Sequence, residues 1–190
     1  MKTIRALLVL TLIASAAPCA EAMPQTHESE VAEASDVTVR EQDGVYHVAA
    51  TFTVAQTIPV IIDVLTAYEQ IPRYMPDVRS SRVIERSAGR AVVEQEAVAR
   101  VMMFSKRVHL VLDILEASQT IRFRDRCGKS FEHYEGAWTL AAKGPERAEV
   151  RYELAARPSF DVPAFLLKRL LQRDAREMIR RLQDEMTRPR

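Results

Sequence analysis

The stretch FTVAQTIPVIIDVLTAYEQIPRYMPDV, Phe52 to Val78, decides the reading of this chain. It starts inside an alternating segment, Tyr46 to Val54, that reads as a strand. Helical spacing follows. Thr57 stands before Ile58-Pro59 as an N-cap with proline in the first turn. Ile58, Ile61, Ile62, Leu65 and then Tyr68 or Ile71 recur at helical intervals. Pro72 is expected to end that helix, because the residue before a proline avoids the helical region. RYMP then makes a short turn. Connections lie on the surface and are usually polar, yet Ile71, Tyr74 and Met75 make this one greasy, and Pro72 and Pro76 stiffen it. Such a joint either plugs the open end of a core or forms the lip of a cavity.

Downstream of Asp77 the period changes to two. Val78–Arg86, Arg90–Phe104, Arg107–Glu116, Thr120–Cys127, Phe131–Leu140 and Arg147–Arg157 each read as a strand with one apolar face. In the longest, Ala91, Val93, Gln95, Ala97, Ala99, Val101 and Met103 share a side, opposite Glu94, Glu96 and Arg100. Ile121, Phe123 and Cys127 lie opposite Arg122, Arg124 and Arg126. Upstream, Val37–Arg40 reads as a short strand, joined to Tyr46–Val54 through the hairpin signal Asp43-Gly44. The chain closes on a long helix opened by Pro163, with Asp161 as its expected cap. Leu167, Leu171, Ala175, Met178, Leu182 and Met186 form its apolar stripe, and Leu166 and Leu170 widen the first half. Only this helix is long enough to cover a sheet of that size. The expected class is α+β: a curved antiparallel sheet of about six or seven strands wrapped around the C-terminal helix, with a short helical pair after the early strands.

The 190 residues are 47% hydrophobic and 28% charged, ordinary for one domain with a real core. A formal net charge of +1 gives no indication of nucleic acid as partner. Lys2 and Arg5, the apolar run Ala6 to Ala17, and Ala20-Glu21-Ala22 have the order of a secretory signal peptide, with cleavage expected after Ala22. The run is too short to span a bilayer. Cys19 offers a rival reading as a lipid-anchored residue, which Pro18 argues against. Residues 1–22 are thus read as a signal peptide, 23–44 as an acidic leader with a short strand, and 45–188 as the folded domain. The mature chain would keep Cys127 alone, without an internal disulfide, in a periplasm or outside the cell.

The order of elements resembles the helix-grip fold of the START-like (SRPBCC) superfamily. The resemblance is greatest to the polyketide cyclase/dehydrase and coenzyme Q-binding START-like proteins. It is carried by Phe52–Val78, by YEGAWTL (Tyr134–Leu140), and by the terminal helix after FDVPAF (Phe160–Phe165), over roughly Tyr46 to Thr187. The resemblance implies an apolar cavity between sheet and helix, with the joint after the first helix near its mouth. Ile71, Tyr74 and Met75 would then form the lip.

On the residues themselves, Gln95, Tyr134 and Tyr152 fall on inward faces and are candidates to orient the polar end of a ligand; the alternative is internal satisfaction. The small side chains of Ala97, Ala99 and Ala175 leave volume that large neighbours or a ligand must fill. Phe123, Trp138, Leu171 and Met178 complete the expected wall. Histidines 27, 47, 109 and 133 have no metal-ligand spacing, and no C-x-x-C, G-x-S-x-G, G-x-G-x-x-G or P-loop is present. No metal, cofactor or catalytic residue is therefore expected. Asp113, Asp125, His109 and His133 are the weak acid–base candidates, and His133 with Glu135 shares a strand face. From Pro163 to Arg190, eight Lys or Arg stand against four Asp or Glu; that basic back is either a solvated face or a contact for anionic head-groups. The expected function is binding or transport of an apolar small molecule, a lipid or isoprenoid quinone. The alternatives are a cyclase/dehydratase-like enzyme and a ligand-free interaction module at the cell envelope.

Overall fold

The computed structural model describes residues 36–101, 104–160 and 163–189. The signal peptide, residues 23–35 of the leader, Cys19, Met103 and the Asp161 cap lie outside the described residues. Eight strands form one antiparallel sheet: β1 (Asp36–Gln42), β2 (Val45–Val54), β3 (Val78–Ser87), β4 (Arg90–Val101), β5 (Phe104–Ala117), β6 (Thr120–Asp125), β7 (Phe131–Gly144) and β8 (Arg147–Pro158). Their order across the sheet is β1-β2-β8-β7-β6-β5-β4-β3. The sheet thus has eight strands where six or seven are expected, because the short first segment pairs along its whole length, from Asp36–Thr51 to Gln42–Val45. Asp43 and Gly44 both take positive φ, 51° and 77°, as a tight hairpin turn demands.

Helix α1 (Ile58–Thr66), a single 3-10 turn (Tyr68–Gln70) and α2 (Ile71–Tyr74) carry the chain from β2 to the far edge strand β3. Two expectations are corrected here. The first helix stops at Thr66 instead of running on to Pro72. Thr66 Oγ1 donates to the Ile62 carbonyl at 2.8 Å, and Ala67 leaves the helical region at ψ 56°. A proline cannot sit inside a helix, but it fits a first turn. Pro72 accordingly opens α2, with Ile71 before it helical at φ −50°, ψ −43°. Thr57 does stand at the N-cap of α1, but its hydroxyl makes no capping bond. A third correction concerns β6, which ends at Asp125, short of Cys127. The Asp125 carboxylate accepts from the amides of Val111, Cys127 and Gly128, and so turns the chain.

Helix α3 (Ala164–Met186) crosses the concave face. It packs on β1, β2, α1 and α2. Gln172 donates to the Val37 carbonyl at 3.1 Å and Gln183 to the Thr53 carbonyl at 3.2 Å, tying it to that half of the sheet. Its buried residues are Leu170, Ala175, Ile179, Leu182 and Met186. Ile179, fully buried, is absent from the stripe read in the sequence.

Gly136, the glycine of the Gly-x-Trp segment, marks a tight point of β7. A Cβ there would stand 2.4 Å from the Glu153 carbonyl oxygen and 2.5 Å from the Phe123 ring. The ring could turn aside; the backbone of β8 could not. Gly136→Ala is expected to cost about 1–3 kcal/mol of unfolding free energy, read from the urea midpoint at unchanged slope.

Candidate functional site

Because α3 leans on the β1–β2 half, it stands off from the strands beyond. The space between is a cavity of about 840 Å³. Leu112 and Ile114 of β5, Ile121 and Phe123 of β6, Tyr134 and Trp138 of β7, and Tyr152 and Leu154 of β8 form its floor. Leu171, Ala175, Met178 and Leu182 of α3 form its roof, and Leu65, Tyr68, Ile71, Tyr74 and Met75 close one side. This size falls within the range of small-molecule sites, which run to about 1,000 Å³.

Of the residues expected in the wall, Ile71, Tyr74, Met75, Gln95, Phe123, Tyr134, Trp138, Tyr152, Leu171, Ala175 and Met178 line the cavity. Ala97 and Ala99 do not; they pack against the main core. Val98 and Arg100 supply the wall at that end of β4 instead. The β3–β4 register slips between Val78 and Ser80, and the Val98 amide donates to the Asp77 carbonyl, so the strand end is drawn to the lip. The empty volume comes from the distance between α3 and the strands, and of the three alanines only Ala175 borders it.

The polar groups divide in two. Gln95 is satisfied internally, its Nε2 donating to Ser81 Oγ at 3.1 Å. Tyr68 donates to Glu116 Oε1 at 2.7 Å, with Arg86 over its ring and on the same carboxylate. The Tyr134 and Tyr152 hydroxyls, by contrast, make no hydrogen bond among the described residues. Their rings are held by aromatic neighbours: Tyr134 by Phe131 at 4.8 Å and Phe123 at 5.9 Å, Tyr152 by Trp138 at 4.4 Å. Two fixed phenols therefore face an apolar space with donors unused.

Burial is the first cause of their raised pKa values. Tyr134 is pushed up to about 12, with help from Asp125. Tyr152 is raised well above the ordinary phenol value, with Tyr134 adding to it. Tyr74 is pushed up to about 12 by burial and by Glu185, and Tyr46 and Tyr68 are raised too. All five tyrosines of the chain are thus raised. A raised folded pKa gives stability that is intact below the unfolded value of 10 and lost as pH climbs through the folded one. Between about pH 10 and 12 the protein is expected to lose stability steeply. Phenolate absorbance should stay low at pH 10 and rise together with unfolding; five freely titrating phenols at pH 10 would contradict this.

The mouth is charged. Asp77 and Arg100 form an ion pair between lip and β4. Arg173 pairs with Asp174 at 2.8 Å. Arg181 donates from Nε to Glu177 at 2.6 Å and from Nη1 to the Tyr74 carbonyl at 3.3 Å, which links α3 to the lip. Hydrogen bonds from Arg180 and Arg181 hold the Glu177 carboxyl below the usual carboxylate range. Sequence periodicity missed these rim residues, because charged side chains on an amphipathic helix read as its solvent side.

The acid–base candidates lie elsewhere. Asp113 is held by Arg90 through both oxygens, and Asp125 by backbone amides. His109 stands 3.8 Å from Glu94, and His133 3.5 Å from Glu135. None of them borders the cavity. Cys127 is half-buried, with its Sγ 3.7 Å from the His109 carbonyl. Among the described residues no group of three or more His, Cys, Asp or Glu is placed to hold a metal, and no helix is long and apolar enough to cross a membrane.

The family model described as polyketide cyclase / dehydrase and lipid transport matches residues 54–183. The chain belongs to that family. Its fold is the START-like helix grip, which its solved neighbours share. A STAR-related lipid transfer protein from Xanthomonas axonopodis is 17% identical with a TM-score of 0.66, over 83% of this chain and 96% of that one. The Zhui aromatase/cyclase from Streptomyces sp. R1128 is 15% identical with a TM-score of 0.65, over 75% and 93%. A START superfamily protein from Mycobacterium smegmatis is 17% identical with a TM-score of 0.63, over 74% and 96%. At these identities the likeness is one of fold. No curated protein matches the chain.

Proposed function

We propose that this START-like protein binds and carries an apolar small molecule bearing a neutral oxygen, a lipid or an isoprenoid quinone, in the cavity under α3. The observation that carries the reading is the pairing of an apolar space of about 840 Å³ with the two unused phenol donors of Tyr134 and Tyr152. Burying about 300 Å² of ligand surface is worth roughly 7 kcal/mol before ordering costs. Two hydrogen bonds then bring micromolar affinity, about 8 kcal/mol, within reach. The Xanthomonas neighbour, named for lipid transfer, supports the carrier reading by fold. The cyclase reading would need an acid or base on the cavity wall. Its candidates lie outside the cavity, and the carboxylates at the mouth are each engaged by arginine.

The proposal includes export, supported by the charged start, apolar run and Ala20-Glu21-Ala22 of the N-terminal segment. Native mass spectrometry of the protein purified gently from its host, followed by solvent extraction, tests both parts. A stoichiometric lipid or quinone on a chain starting at Met23 is the expected result. A bare mass, with thermal stability indifferent to added lipids and quinones, would sink the carrier reading.

A further inference from the structure

The largest exposed apolar side chain among the described residues is Phe165, 72% exposed in the first turn of α3. Its setting is positively charged. Lys168 and Arg169, three and four residues on, share its side of the helix and are exposed. Neither makes an ion pair among the described residues. The rest of α3 is balanced: Arg173, Arg176, Arg180 and Arg181 stand against Asp174, Glu177, Asp184 and Glu185, and of these arginines all but Arg176 are ion-paired among the described residues. The excess charge of the helix is thus concentrated at its start.

That placement is unfavourable in water. A helix N-terminus already carries about half a positive charge, and α3 begins at Pro163 with no side-chain cap and no acidic residue in its first turn. Lys106 adds a further cation, seated 5.3 Å from the Phe160 ring. An exposed aromatic among uncompensated cations is complementary to one kind of surface: anionic head-groups above an apolar interior.

We infer that the start of α3 docks the protein on anionic lipid bilayers, with Phe165 entering the interface and Lys168, Arg169 and Lys106 meeting the head-groups. The docked end adjoins the cavity. Leu171, a roof residue, lies six residues along the helix from Phe165, about 9 Å at 1.5 Å per residue.

The test is co-sedimentation of the protein as its host processes it with phosphatidylcholine vesicles, with and without phosphatidylglycerol. Binding is expected only with phosphatidylglycerol, and it should weaken as salt is raised. The double variant K168E/R169E should bind at least about 30-fold more weakly, at roughly one kcal/mol per lost charge. Phe165→Ala should bind about tenfold more weakly. Leu115→Ala removes an exposed leucine from the outer face of β5 and should bind as the parent does. All four positions are exposed, so equal melting temperatures will show that folding is intact. Binding that is absent, that ignores phosphatidylglycerol, or that survives both α3 variants overturns the inference. The bound lipid or quinone is read separately by mass spectrometry, so failure here leaves the carrier reading standing.

Discussion

Ile179→Ala is expected to lower the unfolding free energy by about 3–4 kcal/mol, a large share of the 5–15 kcal/mol that keeps a domain folded. Ile179 is fully buried, on the side of α3 that Gln172 and Gln183 tie to β1 and β2. Its neighbours there are held by sheet and helix together, so they cannot collapse into the space left behind. The preceding residue behaves differently. Met178 is half-buried and faces the cavity. Its truncation removes few contacts in the ligand-free protein, and a flexible thioether is easily dispensed with. Met178→Ala should cost about 1 kcal/mol or less and change ligand affinity instead. Urea denaturation of both variants decides the matter. Equal losses would mean that α3 is gripped evenly and that no space opens on the Met178 side.

The second large effect concerns ligand and not fold. The double variant Tyr134→Phe, Tyr152→Phe should weaken binding of an oxygen-bearing ligand by about 10- to 100-fold, two net hydrogen bonds at roughly 1 kcal/mol each or somewhat more. It should leave the stability of the ligand-free protein unchanged or slightly raised, since each hydroxyl removed is one without a partner among the described residues. Most buried tyrosines would show the opposite sign, because their hydroxyls are already engaged. The measurement is a pair: ligand titration by intrinsic fluorescence, Trp138 being the chain's one tryptophan, and thermal melting without ligand. A loss of stability with no loss of affinity would show that the phenols serve the fold alone.

The lip and the rim fit the same division of labour. Tyr74 is buried while Ile71 and Met75 are half-buried, and all three border the cavity. The lip is held from outside by Arg181 on the Tyr74 carbonyl and by the Asp77–Arg100 pair. Exposed ion pairs of this kind contribute little to stability, about 0–1 kcal/mol. They therefore tie the lip to β4 and α3 only weakly.

Periodicity determined much of this protein. Alternation over two residues marked most of the strands and their inward sides, because a pleated strand must send successive side chains to opposite faces. The apolar stripe after Pro163 placed the gripping helix, and Phe52–Val78 carried the family. Local sequence was weaker where one residue type has two uses. Pro72 both ends helices and begins them, and only the packing of Tyr68 and Tyr74 shows which applies. Eleven of the thirteen expected wall residues line the cavity, because facing inward is a local property. Ala97 and Ala99 do not, because bordering empty space is not. Whether an inward side chain meets another or meets a void depends on how far α3 stands from each strand. That distance is set by contacts remote in the chain: Gln172 with Val37, Gln183 with Thr53, Ile179 in the core. One flank of α3 is packed and the other is open, and both look apolar in sequence. The tertiary structure alone decides between them, because a cavity is a relation among elements and no single element carries its signature.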